Sequence, residues 1–355
     1  VDMLPKQDIL KKLSNVFSGE SRKKTHLDIQ KVGVEFFDLF PELQEKIIIV
    51  DRKAYRNGEQ FFQGFKDQLE SAMLHLQPDR KERVKKAIMS GFDGRDNASA
   101  CYTRSAENET PLLVVVFPLL RDMTAAEIIE NWIRSKKIKK LRVTADIPSF
   151  VSDEQMQRFI LDHELAHALE NLRFPQNEIA DKKEKENFEE CVADAFALMQ
   201  HYQRGGDDGL AKVLCAARAV LSMHDYNTTH YTCAAIREVM RMKSDYTALS
   251  SEQLFEKAVS VAKHTFCRQQ EMEMISEEVA VRMLQAHFCT DTEDYGKASN
   301  VEKTVAFLSA LSAGDISTYS RDYIKEYMAA MKNIVLCSKH LPQRSSGRSV
   351  QSGNY

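Results

Sequence analysis

Apolar residues recur at helical spacing along residues 153–171, where Phe159, Ile160, Leu165, Ala166 and Leu169 lead on to Leu172. Ser152 followed three residues on by Gln155 has the form of a capping box, so a helix is predicted to start just after Ser152. A second helical pattern covers 187–199, with Phe188, Val192, Ala195, Phe196 and Met199 available for packing. Upstream, residues 28–50 carry an amphipathic pattern broken at Pro41. Residues 60–76 carry another, with Phe61, Phe62, Phe65, Leu69, Met73 and Leu76 at three- and four-residue steps. Between these regions, 112–119 and 140–147 read as strands separated by a predicted helix over 125–133. Past Arg204 a GGDDG run ends the second helix. Further helices are then predicted near 209–222, 233–243, 251–265, 276–288, 300–312 and 316–336, with Ser251, Ser276, Asn300 and Asp315 near their starts.

The order strand, helix, strand, then the 153–171 helix suits a small sheet lying over that helix. The expected fold is therefore α+β and mostly helical. Four regions are expected: a mainly helical N-terminal region over 1–105, a core over 106–205 carrying both marked helices, a helical C-terminal subdomain over 206–338 that completes a cleft, and a flexible tail over 339–355. The turn-rich stretch 91–110 supplies the first boundary. Residues 1–25 and the tail are polar, which favours disorder.

With 43% hydrophobic residues, 355 positions suffice for one large or two medium domains. The longest apolar run, 111–120, falls short of the ~18 residues of a membrane span, so no span is expected. A net charge of −3 argues for neither nucleic acid nor an anionic membrane as partner. The basic run Arg134, Lys136, Lys137, Lys139, Lys140 and Arg142 has no interleaved aromatics and reads as a solvated face. Seven Cys without a Cys-x-x-Cys pair indicate free thiols in a reducing compartment. With no secretory leader visible, the expected location is intracellular and cytoplasmic, or a host-cell cytosol after delivery.

The candidate chemistry lies on the first marked helix. His163 and His167, four apart, project from one face about one turn apart and can reach a single metal ion. Glu164, between them in sequence, is rotated to take a proton from water rather than to ligate. A hydrolytic zinc site needs a third protein ligand, and a metal-bound His usually gives its second ring N–H to a carboxylate. Glu190 and Asp194 share one face of the second helix. Glu190 is assigned as the third ligand and Asp194 as the acceptor that orients His163. Glu189 is the rival ligand. It has Ala193 rather than an acid four residues on, and it reads as a solvated neighbour. The DKKEKEN connector reads the same way.

This arrangement resembles the gluzincin metallopeptidases typified by thermolysin. The matching features are His-Glu-x-x-His at 163–167, 22 intervening residues, and Glu190 with Asp194 as Glu-x-x-x-Asp. The resemblance covers roughly 152–200. The extended metzincin pattern does not fit, because Glu170 and Arg173 stand where it has Gly and His. No Gly-x-Met-Glu-Asn run anchors a free amino terminus, so an endopeptidase is favoured over an aminopeptidase.

The resemblance implies a zincin-like core over 106–205, a Zn²⁺ cofactor, and a protein or peptide substrate bound along an exposed strand edge. It also implies a His and a Tyr that stabilise the oxyanion. In HDYNTTHYTCAAIREV, His230 is the first choice, followed by Tyr231 and Tyr226, with His224 nearby. His201, His264 and His287 read as bland. The expected activity is zinc-dependent hydrolysis of peptide bonds with Glu164 as general base and narrow specificity, a profile that includes a bacterial effector protease. The alternatives are a zinc hydrolase of a non-peptide amide and a non-catalytic, metal-stabilised binding protein.

Overall fold

The computed structural model describes residues 27–94, 98–105, 109–119, 123–133, 141–143, 150–173, 179–225, 229–268, 321–322, 325–326 and 335–337. Over these residues the chain is α+β and mostly helical. Its ten α-helices are α1 (Ile29–Leu39), α2 (Gly58–Gly64), α3 (Lys66–Ala72), α4 (Pro78–Asp93), α5 (Ala125–Ile133), α6 (Asp153–Arg173), α7 (Lys182–Gln203), α8 (Asp208–Asp225), α9 (Cys233–Arg241) and α10 (Ser251–Thr265). A three-stranded sheet is built from β1 (Ile47–Ile49), β2 (Ser99–Thr103) and β3 (Leu113–Phe117) in the order β1-β3-β2. No described helix is long and apolar enough to cross a membrane.

The unbroken apolar run at Leu113–Phe117 is the middle strand, and every residue of it is buried. Such a run marks a strand covered on both faces. Val114 and Val116 enter the larger core with residues of α6 and α7. Leu113, Val115 and Phe117 enter a second core with Phe61, Leu69, Ile88 and Phe92 from α2, α3 and α4. β1 runs parallel to β3 with Ile48 opposite Val115, and β2 runs antiparallel with Cys101 opposite Val115. The other face of the sheet rests on α6, which packs against both β2 and β3.

Several expectations are revised by these pairings. The stretch 91–110, expected as a joint, holds the end of α4 and all of β2, so strands from both sides of residue 105 share one sheet. Ile47–Ile49 is a strand inside a region read as helical, and it needs β3 as its partner. The pattern over 60–76 is two helices, because the chain leaves helical geometry at Phe65. The strand expected over 140–147 is β4 (Leu141–Val143). It pairs with β5 (Val335–Cys337) in a separate two-stranded sheet rather than with β3. The helices expected at 276–288 and 300–312, most of that at 316–336, most of the basic run, and both chain ends lie outside the described residues.

The two marked helices form as their sequences require. Ser152 Oγ accepts from Gln155 N at 3.1 Å while Gln155 Oε1 accepts from Ser152 N at 2.9 Å, completing the capping box of α6. Helix α7 starts five residues earlier than its apolar pattern. Asp181, read as part of a solvated connector, caps it by accepting from Lys183 N and Glu184 N. From Cys191 to Tyr202 every residue of α7 is buried, because α6, α9 and α10 surround it.

Candidate metal centre

Helices α6 and α7 bring their charged residues together inside this apolar packing. His163 Nε2 and His167 Nε2 lie 3.1 Å apart. Glu190 places Oε2 3.5 Å from His163 Nε2 and Oε1 3.5 Å from His167 Nε2. Donors at ~2.0–2.1 Å from a tetrahedral ion stand about 3.4 Å from one another, so these spacings match the edges of such a site. Glu190 Oε2 is buried with no hydrogen-bond partner, which leaves it available to a cation. His163, His167 and Glu190 can therefore hold a metal ion, and they are the group of this kind among the described residues.

Asp194 sits one turn past Glu190 and is fully buried. Its Oδ1 accepts from His163 Nδ1 at 2.8 Å and from Arg218 Nη2 at 2.7 Å. Its Oδ2 accepts from Arg218 Nε at 2.9 Å and Thr232 Oγ1 at 2.5 Å. Burial alone would raise the Asp194 pKa. The Arg218 guanidinium and the His163 hydrogen bond outweigh burial and hold the carboxyl well below the usual carboxylate range. An ionised Asp194 keeps the proton on Nδ1 of His163 and turns the Nε2 lone pair toward Glu190.

Arg218 is the residue that sequence reasoning missed. It lies on α8, is 5% exposed, stands 3.7 Å from Glu190 Oε2, and carries the Trp132 ring over its guanidinium at 5.1 Å. A signal for it exists: Arg218 is a lone charge in the run VLCAARAVL, just as Asp194 is in CVADAFALM. Two such charges on buried helix faces require each other.

The candidate ligand atoms open on a cavity of about 350 Å³ that Glu164, Arg218 and His230 also line. Burial pushes the Glu164 carboxyl above its ordinary pKa, and the neighbouring histidines offset only part of that. His230 stands at the cavity with Nε2 3.6 Å from Glu190 Oε1. Tyr231, its companion candidate, is 1% exposed in the larger core and does not line the cavity. Glu189 is half-buried beside His167 rather than solvated, with its carboxyl pushed up by burial, and it is outside the convergent ligand group. Tyr226 lies outside the described residues, and His224 falls at the end of α8. His201 Nε2 lies 3.0 Å from the Asp207 carbonyl, consistent with a structural role.

The sheet meets the site at β2. Ala98 and Ser99 line the cavity. Just past the strand, Arg104 Nη2 donates to Asn171 Oδ1 at 2.9 Å while Asn171 Nδ2 donates to the His167 carbonyl at 2.9 Å. The terminal strand of the sheet is thereby fastened to the turn of α6 that carries His167. No protein-family model, no curated protein and no solved structure matches this chain.

Proposed function

We propose that the chain is a zinc-dependent endopeptidase of gluzincin type, with the small sheet and α6 as a zincin-like core. The observation that carries this reading is the convergence of His163 Nε2, His167 Nε2 and the Glu190 carboxylate on one point, in a cavity also lined by a half-buried Glu164. Two imidazoles and one carboxylate suit zinc. A zinc ion held there supplies Lewis-acid polarisation of the scissile carbonyl and acidifies the attacking water.

The chain's own groups do the rest. Glu164 takes a proton from the water as its oxygen adds to the carbonyl carbon. It then passes that proton to the amide nitrogen as the C–N bond breaks. Its burial makes it a stronger base than a surface carboxylate. Asp194 fixes the tautomer of His163, and Arg218 and Thr232 fix Asp194. His230, which lines the cavity, donates in this reading to the oxyanion that develops on the carbonyl oxygen. β2 is an end strand whose outer edge has no partner among the described residues, and its first residue, Ser99, reaches the cavity with Ala98 just before it. An extended peptide added to that edge would carry its backbone past Glu164.

The deciding experiment combines elemental analysis with a peptide library read by mass spectrometry, on the parent, Glu164→Gln, His163→Ala and Glu190→Ala. About one zinc per chain is expected in the parent and in Glu164→Gln, far less in the two ligand variants, and cleavage by the parent alone. Zinc without turnover of any peptide in the parent rejects the endopeptidase reading. Hydrolysis of small amides would then favour a non-peptide hydrolase, and none at all a metal-stabilised binding protein. Parent-like cleavage by Glu164→Gln removes Glu164 from the mechanism.

A further inference from the structure

The geometry points to Asn187 as the positioning residue of His230, acting through the two carbonyls that flank it. Asn187 lies on α7, three residues before Glu190, and is fully buried. Its Nδ2 donates to the Thr229 carbonyl at 2.9 Å and to the Tyr231 carbonyl at 3.0 Å. Its Oδ1 accepts from Cys267 N at 2.6 Å. The segment is held at two further points on the same helix, since Thr229 Oγ1 lies 3.4 Å from Glu186 Oε2 and Thr232 Oγ1 2.5 Å from Asp194 Oδ2.

Of residues 229–232, only His230 lines the cavity. Thr229, Tyr231 and Thr232 are 6%, 1% and 0% exposed. The backbone on each side of His230 is thus fixed to α7, and the imidazole is the part of the segment left facing the site.

The residue type follows from the bonds it makes. A side-chain amide offers two N–H donors and a carbonyl acceptor, and here both kinds of atom are used on backbone groups. Leu has the same shape and makes none of these bonds. Gln would carry the amide one methylene too far. Because Asn187 and Glu190 sit about one turn apart on one helix, the 3.6 Å separation of His230 and Glu190 is set by α7 itself. This inference rests on the reading of His230 as the oxyanion donor.

The test uses the full zinc-loaded chain as parent, Asn187→Ala, Asn187→Asp, His230→Ala and the double variant Asn187→Ala/His230→Ala. Zinc content is expected to stay at about one per chain in Asn187→Ala, since no ligand is touched. Its kcat is expected to fall on the order of a hundredfold with KM held, the loss of a misplaced group rather than of substrate binding. The double variant should fall no further than His230→Ala, because one residue acts through the other. Asn187→Asp, which keeps the acceptor for Cys267 N and the length of the side chain, should fall less than Asn187→Ala.

Independently of turnover, the ring signal of His230 in NMR spectra, identified by its loss in His230→Ala, should move in Asn187→Ala while those of His163 and His167 stay. An unmoved His230 signal overturns the assignment, as do losses that add in the double variant. If Asn187→Ala does not fold, Asn187→Asp carries the same comparisons. If the parent cleaves nothing, the endopeptidase reading fails and the His230 signal alone decides the positioning role.

Discussion

His163 Nδ1 donates to Asp194 Oδ1 at 2.8 Å, and the same carboxylate accepts twice from Arg218 and once from Thr232. The orientation of His163, a candidate metal ligand on α6, is therefore decided by a residue of α7 that is itself held from α8 and from the start of α9. Asp194→Asn should weaken zinc binding about 10–100-fold in competition with a chelator. Asp194→Ala, which leaves Arg218 buried without its partner, should in addition lower stability by about 3–5 kcal/mol in urea titrations. Parent-like affinity in Asp194→Asn would show that His163 does not depend on this bond.

Zinc uptake should release protons. Burial would lower the His167 pKa, but the hydrogen bond and charge of Glu190, with the other nearby carboxylates, raise it to about 10 in the metal-free site. At pH 7 His167 therefore holds a proton that a metal ion must displace, and the apparent affinity rises with pH by up to about tenfold per unit below that pKa. Calorimetry in two buffers of different ionisation enthalpy should give about one proton released per zinc at pH 7. No buffer dependence would contradict the prediction.

Glu170, buried one turn beyond His167, has its carboxyl pushed up to about 8 by burial and then by Glu189. Between about pH 4.5 and 8 the unfolded chain binds fewer protons at this group than the folded one, so its contribution to stability falls as pH rises. Glu170→Gln should accordingly be more stable than the parent at pH 8 by up to a few kcal/mol, with the gap closing toward pH 4.5. Denaturation of chelator-treated protein at both pH values measures this. A gap that is equal at both, or reversed, refutes it.

Trp132 is the only tryptophan, and it both lines the cavity and covers Arg218. Its emission should be quenched by Co²⁺ up to one equivalent in the parent and left unchanged in His163→Ala. Quenching that continues without saturation in both proteins would place the cobalt elsewhere.

Helix α6, its capping box and the pairing of Glu190 with Asp194 were legible in the sequence because each depends on neighbours three or four residues away. The strands β1 and β2 were not. Ile47–Ile49 is three residues long, and Ser99–Thr103 includes Ser, Ala and Cys, so only register with β3 makes either a strand. The single helical pattern over 60–76 concealed the break at Phe65 for a related reason, since both pieces bury their aromatic residues in one core. Arg218 could have been matched to Asp194 as a second isolated charge, but which buried helix faces meet is a tertiary fact that periodicity does not carry.

The middle strand, apolar on both faces, also governs how the chain can be cut. A fragment starting at residue 106 would keep α6, α7 and every candidate ligand, yet it would strip Leu113, Val115 and Phe117 of their cover and leave both edges of β3 open. Such a piece is expected to behave as an aggregation template rather than as a folded domain. The described residues between 27 and 105 thus form an obligatory part of the scaffold, and recombinant dissection within them should fail even though the candidate ligands all lie elsewhere.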